Sequence, residues 1–94
     1  MSIPRRAAKV DANQAAIVKA LRLVGVSVEI IGKPVDLLIC HRGETRLMEI
    51  KNVEGKNQTT KEQAEFYSRW PGKVHIVRSE QEAVAVVLGK EVMA

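Results

Sequence analysis

The sequence is poor in aromatic residues and in cysteine. Of 94 residues only three are aromatic, namely Phe66, Tyr67 and Trp70, and all three fall within five positions of one another. The rest of the chain therefore has none of the spaced rings with which single-strand-binding proteins stack several successive bases. The single cysteine, Cys40, excludes an internal disulfide, and we expect an intracellular protein.

Long apolar runs and low-complexity tracts are missing as well. No apolar stretch approaches the roughly 18 to 20 residues of a membrane span, so we expect no membrane partner. Apolar residues nevertheless make up 46% of the chain and charged residues 28%, a composition too apolar for a disordered segment. A chain of 94 residues predicts one domain with a modest core. The net charge of +4 permits a polyanionic partner such as nucleic acid without establishing one.

The hydrophobic pattern predicts seven secondary-structure elements in the order α-β-β-β-α-β-α. We expect a basic arm over residues 1–9 and one domain over residues 10–94. The predicted elements are a helix over 10–24 capped by Asp11, strands over 26–31, 36–41 and 45–53, a helix from the cap Thr60 to about Trp70, a strand over 73–78, and a last helix with Ser79 and Glu82 in a capping box. Short connections make the first three strands an antiparallel meander, and the fourth joins parallel after a helix. The predicted fold class is α/β, with a mixed four-stranded sheet flanked by helices.

Three ionisable residues stand in these predicted strands, where an apolar sheet would not be expected to hold them. Asp36 begins the second strand, and Glu49 and Lys51 are two residues apart in the third, so they point to one face. A hairpin loop of residues 43–44 pairs Asp36 with Lys51, whereas a loop of residues 42–43 pairs Asp36 with Glu49. Either register places the three side chains side by side on one face, and a three-residue loop would separate them unless a bulge compensated.

Two carboxylates on one face repel each other unless a cation neutralises them. Carboxylate oxygens suit a hard divalent ion such as Mg²⁺ or Mn²⁺, and Mg²⁺ typically takes one or two carboxylates together with substrate phosphate. A neighbouring lysine can then orient or deprotonate the attacking water and balance the charge of the transition state. The pattern therefore favours metal-assisted hydrolysis of a phosphodiester bond.

The same residues resemble the signature of a known superfamily. Pro34-Val35-Asp36, twelve intervening residues and Glu49-Ile50-Lys51 resemble the motif of the PD-(D/E)XK nucleases, and the predicted element order resembles their restriction-endonuclease-like core. Over residues 10–88 the chain is similar to the VRR-NUC branch and to the Holliday-junction-resolvase-like nucleases, many of them small phage or prophage proteins. The segment Thr60-Lys61-Glu62-Gln63 and the following Phe66 resemble the T-x-x-Q-x-x-F pattern of that branch.

The resemblance implies roles for individual residues. Asp36 and Glu49 would bind the metal, with the main-chain carbonyl of Ile50 as a third ligand. Lys51 would be the catalytic lysine. Gln63 would be a catalytic residue that reaches the site from the second helix.

The first helix departs from the pattern of many relatives, which carry a metal-binding glutamate there. This chain has Asn13 and Gln14 instead, and Gln14 can face the sheet, although an amide binds a metal more weakly than a carboxylate does. Basic residues that flank the site in the sequence are candidates for DNA phosphate binding. They are Arg5, Arg6, Lys9, Lys56 and Lys61.

The resemblance implies a metal-dependent, structure-selective endodeoxyribonuclease that acts on branched DNA such as a Holliday junction. It also implies a location in the cytoplasm of a bacterial or phage-infected cell. One domain holds one site and cuts one strand, so symmetric cleavage of a junction predicts a homodimer. Two alternatives stay open at this point. One is a sequence-independent DNA nickase or repair nuclease, and the other is a nucleic-acid-binding module that keeps the nuclease fold without cutting.

Each candidate also has an ordinary structural interpretation. An isolated Glu-x-Lys pair is commonly a solvated ion pair worth about 0 to 1 kcal/mol. An aspartate shortly after a proline, as at Asp36, is commonly a turn residue. Gln63 can equally lie on a helix surface. The three aromatic residues follow Gln63 at i+3, i+4 and i+7, which is the spacing of a core-facing stripe.

Overall fold

The computed structural model describes residues 5–52 and 59–89, with side chains described from residue 13 onward. Three helices and four strands follow one another within these residues. They are α1 (Arg5–Leu23), β1 (Ser27–Ile30), β2 (Leu37–His41), β3 (Glu44–Ile50), α2 (Lys61–Arg69), β4 (Val74–Val77) and α3 (Glu80–Leu88). This is the predicted order α-β-β-β-α-β-α.

The four strands form one mixed sheet in the order β1-β2-β3-β4. The pairs β1–β2 and β2–β3 are antiparallel, and β3–β4 is parallel. The chain reaches β4 through α2, since a parallel neighbour requires a crossover connection. The prediction of an α/β fold with a mixed four-stranded sheet flanked by helices is therefore confirmed.

A two-residue turn sets the register between β2 and β3. The turn residues Arg42-Gly43 have φ angles of 53° and 82°. Two successive positive φ angles are typical of the type I′ turn, whose twist matches that of a β-hairpin. Leu37 pairs with Met48 in this register, so one further step brings Asp36 opposite Glu49. Of the two predicted hairpins, the one with its loop at residues 42–43 is the one formed.

One face of the sheet packs against α1 and α3 to form the core. The buried cluster consists of Ile17, Val18, Leu21, Val26, Val28, Leu37, Ile39, Met48, Val77, Ala83 and Val87. Because side chains alternate between the faces of a strand, Glu49 next to Met48 points to the opposite face, over which α2 lies. Within residues 5–52 and 59–89, none of the helices combines the length and apolar character needed to cross a membrane.

The ends of several elements differ from the prediction, most clearly at α1. This helix begins at Arg5, so residues 5–9 are helical instead of forming a loose arm, and Asp11 lies inside the helix instead of capping it. The prediction of Asp11 as an N-cap is therefore wrong. Residues 5–9 are arginine, alanine and lysine, which favour helix without showing an amphipathic pattern. Strand β3 ends at Ile50, so Lys51 follows the strand.

The predicted caps of the other two helices are present. The Thr60 side chain accepts a hydrogen bond from the Gln63 N–H, and the Ser79 side chain accepts one from the Glu82 N–H, each at 3.1 Å. The Glu82 carboxylate does not complete the predicted capping box on Ser79. It accepts from the N–H of Arg78, one residue earlier, at 2.7 Å. Each cap satisfies a helix N–H that would otherwise have no partner and fixes where its helix begins.

Candidate active site

The candidate site lies where β2 and β3 separate. Strand β3 continues beside β4, since the Lys51 N–H donates to the carbonyl of Val77 at 2.9 Å. On the other side the two carboxylates bridge the widening gap. The Asp36 N–H donates to Glu49 Oε1 at 3.2 Å, and the Ile50 N–H donates to Asp36 Oδ2 at 2.8 Å. The hairpin register thus brings Asp36 and Glu49 together, as the sequence predicted.

Glu49 is the buried centre of this cluster and is only 7% exposed. Its Oε2 accepts a hydrogen bond from Gln63 Nε2 at 3.0 Å and lies 3.7 Å from Lys51 Nζ. Burial raises the pKa of the Glu49 carboxyl above its ordinary value. The nearby Asp36 raises this pKa further, while the Gln63 hydrogen bond and the Lys51 charge only partly offset the increase. The ionised form of Glu49 is therefore disfavoured here, and a bound cation would stabilise it.

The Lys51 side chain is largely removed from solvent beside Glu49, which distinguishes this pair from an ordinary surface ion pair. The two side chains are 11% and 9% exposed, whereas those of the surface pair Lys33–Glu62, at 3.8 Å, are 83% and 78% exposed. The interpretation of Glu49 and Lys51 as a solvated pair therefore does not describe their environment. Removing two charges from water is costly, so such a pair adds little stability and marks a candidate functional site.

Gln63 connects α2 to the separating strands. Its backbone is fixed in the first turn of the helix by the Thr60 cap. Its Nε2 donates to Glu49 Oε2 at 3.0 Å and, at 3.4 Å, to the carbonyl of Pro34 in the segment that leads into β2. The structure thus places Gln63 against the Glu49 carboxylate and not on an open helix surface.

Tyr67 also lies near these carboxylates, although its position in the aromatic stripe predicted core packing. Its hydroxyl is buried and has no hydrogen-bond partner among the described residues. Burial raises the pKa of the Tyr67 hydroxyl, and the charges of Glu49 and Asp36 raise it further. The sequence signal for this placement is its position four residues after Gln63, because residues at that spacing share a helix face.

Replacing Tyr67 with phenylalanine is expected to raise the free energy of unfolding by about 1 kcal/mol, because a buried hydroxyl without a partner destabilises the folded state. Chemical denaturation of the wild type and of Tyr67→Phe measures the difference. A variant that is less stable than the wild type would contradict the expectation, since the hydroxyl would then make a favourable contact in the folded protein.

Of the remaining predicted site residues, some have described side chains and some do not, and DNA binding by Lys61 stays a prediction. Gln14 is half-buried and lines a separate groove of α1 together with Ile30, and Lys61 is exposed at the start of α2. The side chains of Arg5, Arg6 and Lys9 and the whole of Lys56 are outside the described residues. For Ile50, the contact at the site is made by its N–H, and metal binding through its carbonyl stays a prediction.

A cleft of about 950 Å³ opens beside the cluster, between α2 and the segment before β2. Its lining includes Lys33, Pro34, Glu49, Gln63, Phe66 and Trp70, and we refer to it as the α2 cleft. Its volume lies near the upper end of the roughly 300 to 1,000 Å³ that is typical of ligand sites. A ligand in this cleft would therefore lie next to the Glu49 carboxylate.

The carboxylates of Asp36 and Glu49 suit a divalent cation with oxygen ligands. Mg²⁺ commonly binds through one or two carboxylates and completes its coordination with water and substrate phosphate, and Mn²⁺ accepts the same ligands. Among the side chains that the structure describes, no group of three or more His, Cys, Asp and Glu could hold a metal. A cation at this site would therefore need oxygen ligands from water, main chain or substrate.

Comparisons of the chain with protein-family models, with curated proteins and with solved structures find no match. The function is therefore inferred from the chemistry of the site together with the sequence pattern.

Proposed function

We propose that this chain is a metal-dependent endonuclease of the restriction-endonuclease-like fold. It would hydrolyse phosphodiester bonds in DNA, with branched DNA such as a Holliday junction as its substrate. The observation that supports the proposal best is the convergence of Asp36, Glu49 and Lys51 where β2 and β3 separate. The hydrogen bonds between the two strands and the 3.7 Å approach of Lys51 Nζ to Glu49 Oε2 define this convergence.

Asp36 and Glu49 would hold a Mg²⁺ or Mn²⁺ ion, which supplies Lewis-acid polarisation of the phosphate and an acidified water. Lys51 would orient the attacking water and balance the negative charge that develops on the phosphate. Gln63 would hold the Glu49 carboxylate in place through its bond to Oε2. Because Glu49 and Lys51 are largely removed from water, these electrostatic interactions are stronger than they would be at an open surface.

A purely structural role for the cluster is the main competing interpretation. Asp36 and Glu49 do accept backbone hydrogen bonds that would otherwise lack partners where the strands separate. Neutral side chains such as asparagine or glutamine could accept these bonds without the cost of burying charge. The Lys51 side chain, which is largely removed from solvent, and the raised pKa of Glu49 therefore favour a functional role.

A homodimer would provide the two sites that symmetric cleavage of a junction requires. The edge of the sheet and the valine-rich helix α3 are the two candidate contact surfaces for such a dimer. The edge strands β1 and β4 expose Ile30 at 55% and Ile76 at 47%, and α3 exposes Leu88 at 44% while it buries Ala83 and Val87 in the core of its own chain. Both surfaces therefore offer exposed apolar side chains for a dimer contact. Sedimentation of a clean monomer at working concentration would contradict the junction-resolving version and leave the nickase alternative.

A cleavage assay tests the proposal. The protein is incubated with end-labelled four-way junction, linear duplex and single strand, each with Mg²⁺, with Mn²⁺ or with EDTA. We expect cutting of the junction with either metal, none with EDTA, and at least a roughly 100-fold loss of rate in Asp36→Asn. Glu29→Gln, which changes an exposed charge on β1, should cut like the wild type. Equal cutting of all three substrates would favour the nickase alternative, and metal-independent binding without cutting would favour the non-enzymatic module.

A further inference from the structure

Trp70 is the only tryptophan of the chain and is 43% exposed. It forms the C-cap of α2 and lines the α2 cleft together with Glu49 and Gln63. A large aromatic ring that stays partly exposed beside a polar cluster is available for contact with a ligand.

The indole of Trp70 is supported by neighbours on two sides. The Phe66 ring packs against it in a stacked arrangement, with centroids 5.1 Å apart and an interplanar angle of 29°. Gly72 approaches so closely that a Cβ atom there would lie 2.9 Å from Trp70 Nε1. The ring is therefore held in place before any ligand arrives, which reduces the entropy lost on binding.

The charges that line the α2 cleft favour a neutral ring over a run of phosphates. The lining contains two cationic side chains, Lys33 and Arg69, and the carboxylates of Glu62 and Glu65 balance them even when Glu49 is left out of the count. A groove that follows a nucleic-acid backbone is normally positively charged, and this cleft is not. A nucleobase is a planar, uncharged ring that stacks well on tryptophan.

We propose that Trp70 stacks one unpaired nucleobase beside the scissile phosphodiester bond. The substrate class is then DNA with an unpaired or displaced nucleotide next to the cut, because bases within a continuous duplex are already stacked on each other. A single exposed ring serves a single base, which agrees with the lack of aromatic residues outside residues 66–70. This inference rests on the proposed nuclease function.

Tryptophan fluorescence tests the stacking directly, because Trp70 alone supplies the signal. The wild type is titrated in EDTA, which prevents cutting, with three matched duplexes. One has a single unpaired nucleotide, one has an abasic residue at the same position, and one is fully paired. We expect quenching by the first duplex and binding roughly 5- to 100-fold tighter than to the other two. Equal quenching and equal affinity for all three would overturn the inference.

Cleavage by Trp70→Phe, Trp70→Ala and Gly72→Ala provides a second test in Mg²⁺. Phenylalanine keeps a ring, and we expect it to keep most of the preference for the unpaired duplex over the paired one. We measure this preference as the ratio of the cleavage rates of the unpaired and the paired duplex. Alanine at position 70, or a Cβ at position 72 that displaces the indole, should bring this ratio close to one. Thermal melting confirms that each variant is folded. A ratio that stays at the wild-type value in both Trp70→Ala and Gly72→Ala would overturn the stacking inference.

The two proposals can fail separately. A wild-type protein that cuts DNA with Mg²⁺ but does not distinguish the three duplexes overturns the stacking inference and leaves the nuclease proposal. A wild-type protein that binds the unpaired duplex selectively through Trp70 but cuts no DNA overturns the nuclease proposal and supports base stacking by a non-enzymatic module.

Discussion

Replacing Glu49 with glutamine is expected to abolish metal-dependent cleavage while raising the stability of the metal-free protein at neutral pH. Glutamine keeps the size of the side chain and removes the charge, so a loss of rate of at least about 100-fold is expected. Stability should rise because the surroundings of Glu49 favour its neutral form, as the raised pKa indicates. An increase in stability on replacing Glu49 would indicate that this carboxylate serves activity at the expense of the stability of the fold.

The pH dependence of this stability has a definite sign. The pKa of Glu49 is raised in the folded state above its ordinary value of 4.5, so the folded protein binds this proton more tightly than the unfolded chain does. Protonated Glu49 therefore stabilises the folded protein. This stabilisation is fully present below the pKa that Glu49 has in the unfolded chain, and it is lost as the pH rises through the pKa that Glu49 has in the folded protein. The melting temperature of Glu49→Gln minus that of the wild type should therefore increase as the pH rises from about 4 to 7. Glu29→Gln, whose side chain is exposed, should show no such trend.

Replacing Lys51 with methionine is expected to lower the cleavage rate by roughly 10²- to 10⁴-fold, the range for loss of a positioned acid–base group. The affinity of the variant for the metal should not decrease, although its cleavage rate does. The Lys51 ammonium lies 3.7 Å from Glu49 Oε2, where it competes with a bound cation for the same carboxylate. We therefore expect Lys51→Met to bind Mn²⁺ at least as tightly as the wild type while cutting far more slowly.

The control for this variant is Lys19→Met, which removes an exposed lysine from α1 and should leave both rate and metal affinity unchanged. Single-turnover cleavage at saturating Mn²⁺ separates the chemical step from metal binding. Full activity of Lys51→Met under these conditions would contradict a catalytic role for the lysine. A parallel loss of rate and metal affinity would instead indicate that Lys51 only maintains the structure of the site.

The meeting of Asp36 and Glu49 could be predicted from the sequence, because side chains alternate in a strand and a short hairpin loop limits the register. Which of the two hairpin loops forms could not be predicted from the sequence. A Gly43-Glu44 loop would place glycine first, as type II′ turns prefer, and an Arg42-Gly43 loop places it second, as type I′ turns allow. The observed turn requires Arg42 to adopt a φ of 53°. Positive φ angles are uncommon for residues other than glycine, so the sequence does not predict this conformation for an arginine.

The aromatic stripe of α2 was predicted only in part, for a geometrical reason. Phe66 is buried at 6% exposure, as helical spacing suggested. Helical spacing of seven residues from Gln63 predicts Trp70 on the same stripe, but Trp70 is the C-cap, with an extended backbone at φ −87° and ψ 117°. Helical spacing no longer applies at that position, so the ring lies partly exposed at the cleft instead of in the core. Sequence periodicity does not determine the exact residue at which a helix ends.

The most direct measurement of the proposed metal centre is a calorimetric titration of Mn²⁺ into the wild-type protein at pH 7, repeated with Glu49→Gln and Glu29→Gln. We predict saturable binding to the wild type and to Glu29→Gln, and loss of that binding in Glu49→Gln while the variant stays folded. Unchanged Mn²⁺ binding in folded Glu49→Gln, or no binding to the wild type with or without DNA, would contradict a metal centre at Asp36 and Glu49.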